Sequence, residues 1–308
     1  MAQSALVVCV PACNEADRLP HLLAALAQQT LQGCPVVVAL NNTTDHSRDA
    51  IVATCLAYPM LDVIVDETTF APAMAHAGSA RRRAMDCAAD RAGPHGLIVT
   101  TDADTRPPPH WLASNQSALV RGLDIVGGMI VIDEAEPLQT PVAVARKLAD
   151  RYWAEVRAIE DAVDPVAWDP PPRHGDHTGA SLALSVAAYR RSGGVQTIPT
   201  GEDRALVAAV VRQGGRLAHP ADIWTRVSPR TEGRATGGMA EHMTRLQADC
   251  LADMEIRLPS FAQWRQRAQW RRDIRDKGGA ALVVELEQTL PSMVDDMVLN
   301  ANAFEPVA

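Results

Sequence analysis

Four short apolar runs constrain the fold of this chain more than any other feature: ALVVCV at 5–10, PVVVAL at 35–40, LDVIV at 61–65 and LIVTT at 97–101. A run that is apolar at nearly every position has both faces in a core, as a parallel strand does when helices cover both sides of its sheet. Between the runs, apolar residues return at helical spacing. Leu19, Leu22, Leu23 and Leu26 make one buried stripe after the first run, with Asn14 as candidate N-cap and Asp17 three residues on. Ser47 is placed to cap a helix to about Leu56, and a third helix is expected from about Gly78 to Asp90. Alternating strand and helix predict an α/β, doubly wound sheet, in which ligands bind beyond the carboxyl ends of the strands.

The segments predicted at those ends are polar: PACNE after the first run, NNTTDHS after the second and DADTRPPP after the fourth. Asp102 and Asp104 stand one residue apart where prolines stop the strand. Alternate residues of an extended chain share a face, so both carboxylates can turn toward one ion. Carboxylates suit Mg²⁺ or Mn²⁺, whose sites combine one or two of them with substrate phosphate oxygens. The same aspartates also serve as turn residues, and the motif alone does not decide.

Two further motifs are equally ambiguous by themselves. In TGEDRAL, Glu202 and Asp203 open a helical pattern, where acidic residues favour the helix dipole, yet a carboxylate beside a substrate hydroxyl is also a general base. In HAGSARRR, Gly78 and Ser79 lead into a helix whose first turn carries Arg81, Arg82 and Arg83. Free amides with guanidinium groups suit a diphosphate, and three arginines on a helix also suit a solvated face.

Beyond Trp111 the chain predicts a helix to about Val120, a strand near 124–132 and a long helix with Ala145, Leu148, Ala149, Tyr152, Val156 and Ile159 on one stripe. DPVAWDPPPRHGDHTG, 164–179, is too proline-rich for regular structure and is expected to be a substrate loop that closes over a ligand. From about 237 the pattern is helical, including WRQRAQWRRDIRDKGG, whose arginines are expected on a solvated face or an anionic surface. With 29 basic and 37 acidic side chains, the net charge of -8 opposes nucleic-acid binding. No apolar run approaches the roughly 20 residues of a membrane span. Cys9, Cys13, Cys34, Cys55, Cys87 and Cys250 lie among apolar residues with no CxxC pair and no secretory leader, which points to reduced thiols and a cytoplasmic protein.

Taken in order, PACNE, NNTTDHS, GSARR, TTDAD, GASLAL and TGEDRAL make the chain resemble the family 2 glycosyltransferases of GT-A fold, over about residues 4–230. The resemblance implies a mixed, doubly wound sheet flanked by helices, with residues 1–235 as the catalytic domain and 236–308 as a helical C-terminal extension. It implies a UDP- or GDP-sugar as donor and Mn²⁺ or Mg²⁺ as cofactor, held by Asp104 with Asp102 directly or through water. Pro11, Ala12, Asn14, Glu15, Gly78 and Ala103 would line the donor pocket, Asn41 or Asn42 would face the base, and Arg81 or Arg82 would reach the base or phosphates. Asp203, with Glu202 beside it, would deprotonate the hydroxyl of a small-molecule or lipid-linked acceptor, giving inversion. A retaining transferase of the glucosyl-phosphoglycerate synthase kind and a sugar nucleotidyltransferase are the alternatives, and a homodimer is left open. Asn41 and Asn42 stand where many relatives have acidic residues. QxxRW is missing, which disfavours a processive membrane synthase. His174, His177 and His219 are the candidates for a further metal ligand, and His177 is equally placed to meet the acceptor beside Gly179, Ala180 and Ser181.

Overall fold

The computed structural model describes residues 5–136, 138–231, 239–252 and 254–304. The four apolar runs become β1 (Leu6–Ala12), β2 (Val36–Asn41), β3 (Val63–Thr68) and β4 (Leu97–Thr100), joined through α1 (Leu19–Ala27), α2 (Ser47–Ala57) and α3 (Ala77–Ala92). There follow β5 (Thr105–Arg106), α4 (Trp111–Val120), β6 (Ile125–Gly127), β7 (Met129–Ile132), α5 (Thr140–Val163), β8 (Leu182–Ser185), α6 (Val186–Arg191) and α7 (Glu202–Arg212). The described chain ends through β9 (Leu217–Ala218), β10 (Trp224–Val227), α8 (Met239–Leu251), β11 (Arg257–Leu258), α9 (Phe261–Glu287) and β12 (Met297–Val298). The expected domain boundary at 235/236 lies outside the described residues.

The main sheet has the order β3-β2-β1-β4-β8-β6-β9. β1 to β4 are mutually parallel, and β8 runs antiparallel to both β4 and β6. This reversal positions the site. Because β8 runs backwards, the residues just before it, Gly179 to Ser181, arrive at the edge where β1, β2 and β4 end. The Thr101 hydroxyl donates to the Ala180 carbonyl at 2.7 Å, tying that arrival to the end of β4.

Strand alternation divides the core into two layers. Leu6, Val8, Val10 and Ala12 face the leucines of α1 and Trp111 of α4, whereas Val7 and Cys9 face Ala84, Met85 and Ala88 of α3 with Leu206 and Val210 of α7. Burial pushes the Cys9 thiol up to about 12, as befits a core thiol.

Several local expectations change. Asn14 does not cap α1: its φ is 53°, and its Oδ1 accepts the Thr44 and Asp45 backbone N–H groups at 2.7 and 3.2 Å, stitching the first loop to the second. Ser47 is the first residue of α2 rather than its cap, and its Oγ accepts the Glu15 N–H at 2.8 Å. The run at 124–132 divides at Gly128 into β6 of the main sheet and β7 of a second sheet, β5-β10-β7.

The proline-rich segment is pinned rather than free. Arg173 pairs with Asp161 at 2.6 Å, Asp164 with Arg275 at 2.7 Å, and Asp176 Oδ2 accepts the Ile130 N–H at 2.9 Å. The arginines of α9 divide: Arg265 and Arg272 are exposed, as on a solvated face, whereas Arg271 and Arg275 turn inward to carboxylates. Arg271 reaches Glu160 of α5 and Glu287, both at 2.6 Å, because the chain turns at Gly279 (φ 74°) and brings Glu287 back alongside Arg271. Glu160 is buried and meets three guanidinium groups, those of Arg157, Arg173 and Arg271. Removing one partner of a buried charge network costs about 3–5 kcal/mol. Glu160→Ala is therefore expected to lower the unfolding free energy by about that amount in urea titration, and an unchanged midpoint would show that α9 docks through apolar contacts alone.

Candidate active site

The centre of the polar edge is one side chain. Arg81, at the start of the second turn of α3, is 5% exposed and uses its whole guanidinium. Its Nε donates to Glu202 at 2.9 Å, Nη1 to Thr100 Oγ1 and to the Gly179 carbonyl at 3.0 Å each, and Nη2 to Asp102 at 2.7 Å. One buried cation thus joins the end of β4, the start of α7 and the turn before β8. The approach demands glycine at 179, where a Cβ would lie 2.2 Å from Arg81 Cζ.

Glu202 and Asp203 consequently differ in role. Glu202 is buried against Arg81, which removes it from the catalytic assignment and makes it an anchor. Asp203 is half-buried; its Oδ2 accepts the Gly179 N–H at 2.8 Å and its Oδ1 the Arg204 N–H at 2.7 Å. These amides orient the carboxylate that the sequence nominated as base.

The second cation in the site is Arg230, just beyond β10. Its Nε sits 2.9 Å from Asp104 Oδ2, while Nη1 and Nη2 reach the two oxygens of Glu15 at 3.0 and 2.9 Å. Burial raises the Asp104 carboxyl to about 6, with Asp102 and Glu15 adding to the shift and Arg230 opposing it. Asp102 and Asp104 each give one oxygen to a guanidinium, from Arg81 and Arg230 respectively.

Residues 7–157 match the family model for Glycosyl transferase family 2. This segment is a glycosyl transferase family 2 domain. S. aureus TarS 1-349 in complex with UDP-GlcNAc aligns with a TM-score of 0.53 and 16% identity, over 92% of this chain and 77% of that one. The same fragment with UDP aligns at 0.51 and 14%, over 88% and 71%. The mannosyltransferase PcManGT from Pyrobaculum calidifontis, in complex with GDP-Man and Mn²⁺, aligns at 0.49 and 18%, over 92% and 79%. No curated protein matches the sequence. The fold is that of the GT-A transferases.

In this glycosyltransferase several nominated residues hold the scaffold. Arg82 is engaged by Asp86 at 2.8 Å and by the carbonyls of Gly193 and Val195 at 2.9 and 2.8 Å, and Arg83 by Asp66. The α3 N-terminus is covered: His76 caps Ser79, and a Cβ on Gly78 would lie 2.2 Å from the Ile198 carbonyl. The open diphosphate cradle expected at Gly78, Arg81 and Arg82 is thus replaced by a packed junction. Asn42 exchanges two hydrogen bonds with the Phe70 backbone, at 3.0 and 3.1 Å, which leaves Asn41, buried at the end of β2, as the member of the pair without that duty. Ala12 and Ala103 are buried in the core layer beneath the crevice, Pro11 is partly buried, and Glu15 belongs to the Arg230 pair.

The histidines do not join the aspartates. His177 Nδ1 lies 3.1 Å from His219 Nε2, and His219 Nδ1 lies 2.8 Å from Asp169. Among the described residues no group of three or more His, Cys, Asp and Glu is arranged to hold a metal. Arg230 escaped the sequence reading because nothing in VSPRTEG marks an arginine whose partners lie 126 and 215 positions earlier. No helix among the described residues is long and apolar enough to cross a membrane.

Two outcomes follow from this electrostatic arrangement. Arg81→Ala strands Glu202 in a buried position and should cost about 3–5 kcal/mol in chemical denaturation; a loss below about 1 kcal/mol would mean that water enters and replaces the guanidinium. Asp104, whose carboxyl is raised, favours the folded state fully below the ordinary carboxylate value, and that contribution disappears as pH rises through about 6. Asp104→Asn should therefore stabilise the protein at pH 7.5 by roughly 1–3 kcal/mol, with the gain fading between pH 6 and pH 4. A pH-independent difference would place its origin elsewhere.

Proposed function

We propose that this glycosyltransferase moves a sugar from a UDP- or GDP-linked donor to an acceptor hydroxyl, with Mn²⁺ or Mg²⁺ at Asp102 and Asp104 and with inversion at the anomeric carbon. The observation that carries the reading is the Arg81 junction, which brings the two aspartates ending β4 and the Asp203 carboxylate beside Gly179 to a single edge of the sheet. A likeness in fold to S. aureus TarS, solved with UDP-GlcNAc, supports a nucleotide-sugar donor.

The donor set fits the ion. Asp102 and Asp104 offer hard oxygens from two carboxylates, as Mg²⁺ and Mn²⁺ sites do when phosphate oxygens complete the shell. When bound, the metal would neutralise charge on the departing diphosphate. The protein's own residues supply the rest. Arg81 fixes Asp102, the Gly179 and Arg204 amides orient Asp203, and Asp203 takes the proton of the acceptor hydroxyl. Residues 1–235 form the catalytic unit in this reading, and 236–308 buttress it through α5. Six free thiols suit a reducing compartment, the cytoplasm.

The test separates the two acidic roles. Asp104→Ala should abolish the metal-dependent part of the thermal shift given by UDP- or GDP-sugars, along with turnover. Asp203→Asn keeps shape but accepts no proton, so donor and metal should bind normally while transfer falls by about 10² to 10⁴. A folded Asp203→Asn protein with near-normal transfer would remove the base assignment. Retention at the product anomeric centre, or pyrophosphate release from a nucleoside triphosphate, would support the alternatives instead.

A further inference from the structure

α5, α7, α9 and the pinned 164–178 segment enclose a cavity of about 360 Å³. His177 and His219 line it, with Arg204 next to Asp203 and an apolar stretch of α7 at Val207 and Val211. Nothing in the chemistry assigned above uses this cavity, yet His177 in its wall stands two residues before Gly179, which donates its N–H to Asp203.

Buried Asp169 and His219 and the partly buried His177 form one chain of hydrogen bonds in that wall, and its polarity can be worked out from one end. Asp169 Oδ1 accepts the His219 backbone N–H at 2.6 Å, and Oδ2 faces His219 Nδ1 at 2.8 Å. Burial opposes ionisation of Asp169, but the His219 N–H bonds and Arg173 hold its carboxyl below the usual range. An ionised carboxylate only accepts, so His219 Nδ1 carries the proton. In the neutral form of His219 the proton on Nδ1 leaves Nε2 bare and accepting, which makes His177 Nδ1 the donor across the 3.1 Å contact. Burial lowers His177 to about 4, so its ring is neutral. The lone pair of His177 therefore resides on Nε2, which has no hydrogen-bond partner among the described residues.

We propose that the cavity receives the acceptor substrate, that His177 Nε2 is a hydrogen-bond acceptor fixed by Asp169 and His219, and that the substrate is a polyol, with one hydroxyl beside Asp203 and a second donating to His177. The proposal rests on the assignment of Asp203 as base. Its distinctive content is polarity: the wall accepts a proton and does not offer one, which selects for a second O–H over an ether or carbonyl at that place. Asp169 and His219 are positioning residues, since they touch the substrate only through His177.

The experiment inverts that polarity without changing shape. Asp169→Asn keeps an oxygen for the His219 backbone N–H and puts an amide N–H₂ opposite His219 Nδ1. The chain then reverses and His177 Nε2 gains the proton. Long-range ¹⁵N correlation spectra of the full chain labelled with [¹⁵N]histidine, at pH 8, should show protonated Nδ1 and bare Nε2 for both rings in the wild type, and the opposite in Asp169→Asn. Transfer is followed with UDP- and GDP-sugars and a panel of glycerol and monosaccharides as polyols. Asp169→Asn and His177→Leu should raise the acceptor KM about tenfold or more while the donor KM stays within about twofold. His177→Gln, whose amide oxygen can take the Nε2 position, should remain near the wild-type acceptor KM. A protonated His177 Nε2 in the wild type, an unchanged acceptor KM in a tautomer-reversed Asp169→Asn, or wild-type transfer to none of the polyols would overturn the proposal. Failure of the base reading appears separately, as normal transfer by Asp203→Asn with the Asp169→Asn effect on acceptor KM intact.

Discussion

A single buried guanidinium organises this molecule. Arg81 could not sit at 5% exposure without partners, because the desolvation of an isolated cation costs far more than a domain's net stability. Its partners come from three distant stretches of chain, at Asp102, Gly179 and Glu202, so satisfying one charge draws the end of β4, the turn before β8 and the start of α7 to one point. The fork geometry matters as much as the charge. Nε faces the start of α7, Nη2 the loop after β4, and Nη1 both the end of β4 and the turn before β8, a division of labour that a lysine with its single nitrogen cannot reproduce. Glu202 is acidic to hold this cation, which frees Asp203 beside it for the crevice.

The second cation works against a different strain. Glu15, Asp102 and Asp104 crowd acidic groups at one edge, and Asp104 is raised to about 6 even with Arg230 against it. A chain selected only for stability would place an amide there. The carboxylate that burial disfavours gives one oxygen to Arg230, which only partly offsets that cost. Arg230 holds both Glu15 and Asp104, so it couples the loop after β1 to the loop after β4 in the same way that Arg81 couples β4 to α7.

How much of this was legible in the sequence depended on range. Parallel strands were readable because both faces are apolar over six or seven residues, and the alternation with helices fixed the edge at which the polar loops gather. The placement of Asp102, Asp104 and Asp203 at one edge of the sheet was readable because each sits at the junction of a strong element with a loop. Arg81 was noticed for the wrong reason: its place at a helix start suggested an open anion site, whereas the deciding facts were the absence of a Cβ at Gly179 and the burial of Glu202, both set by tertiary packing. Arg230 and the Asp169–His219–His177 chain were not legible, since their partners are far apart in sequence and the residues between carry no period. Arg271 and Arg275 of α9 misled for a related cause. A charge-rich helix looks solvated until the turn at Gly279 and the carboxylates of α5 are known.

That last misreading bears on how the two ends of the chain cooperate. α9 does not simply lie on the catalytic sheet; it closes one side of the cavity whose other sides are α5, α7 and the proline-rich segment. The ions that dock it, Glu160, Asp164, Arg271 and Arg275, are also lining residues of that cavity, so the interactions that fix α9 also shape the space beside Arg204 and His177. Charges inside such a wall would repel most neutral ligands if they were unpaired, because each would demand its own hydration. Paired with one another they leave a surface of modest polarity in which a few uncommitted groups decide recognition, and His177 Nε2 is one whose direction is set from within the wall. The same ion pairs that look like stability devices therefore also set the shape of this cavity and hold its C-terminal wall in place.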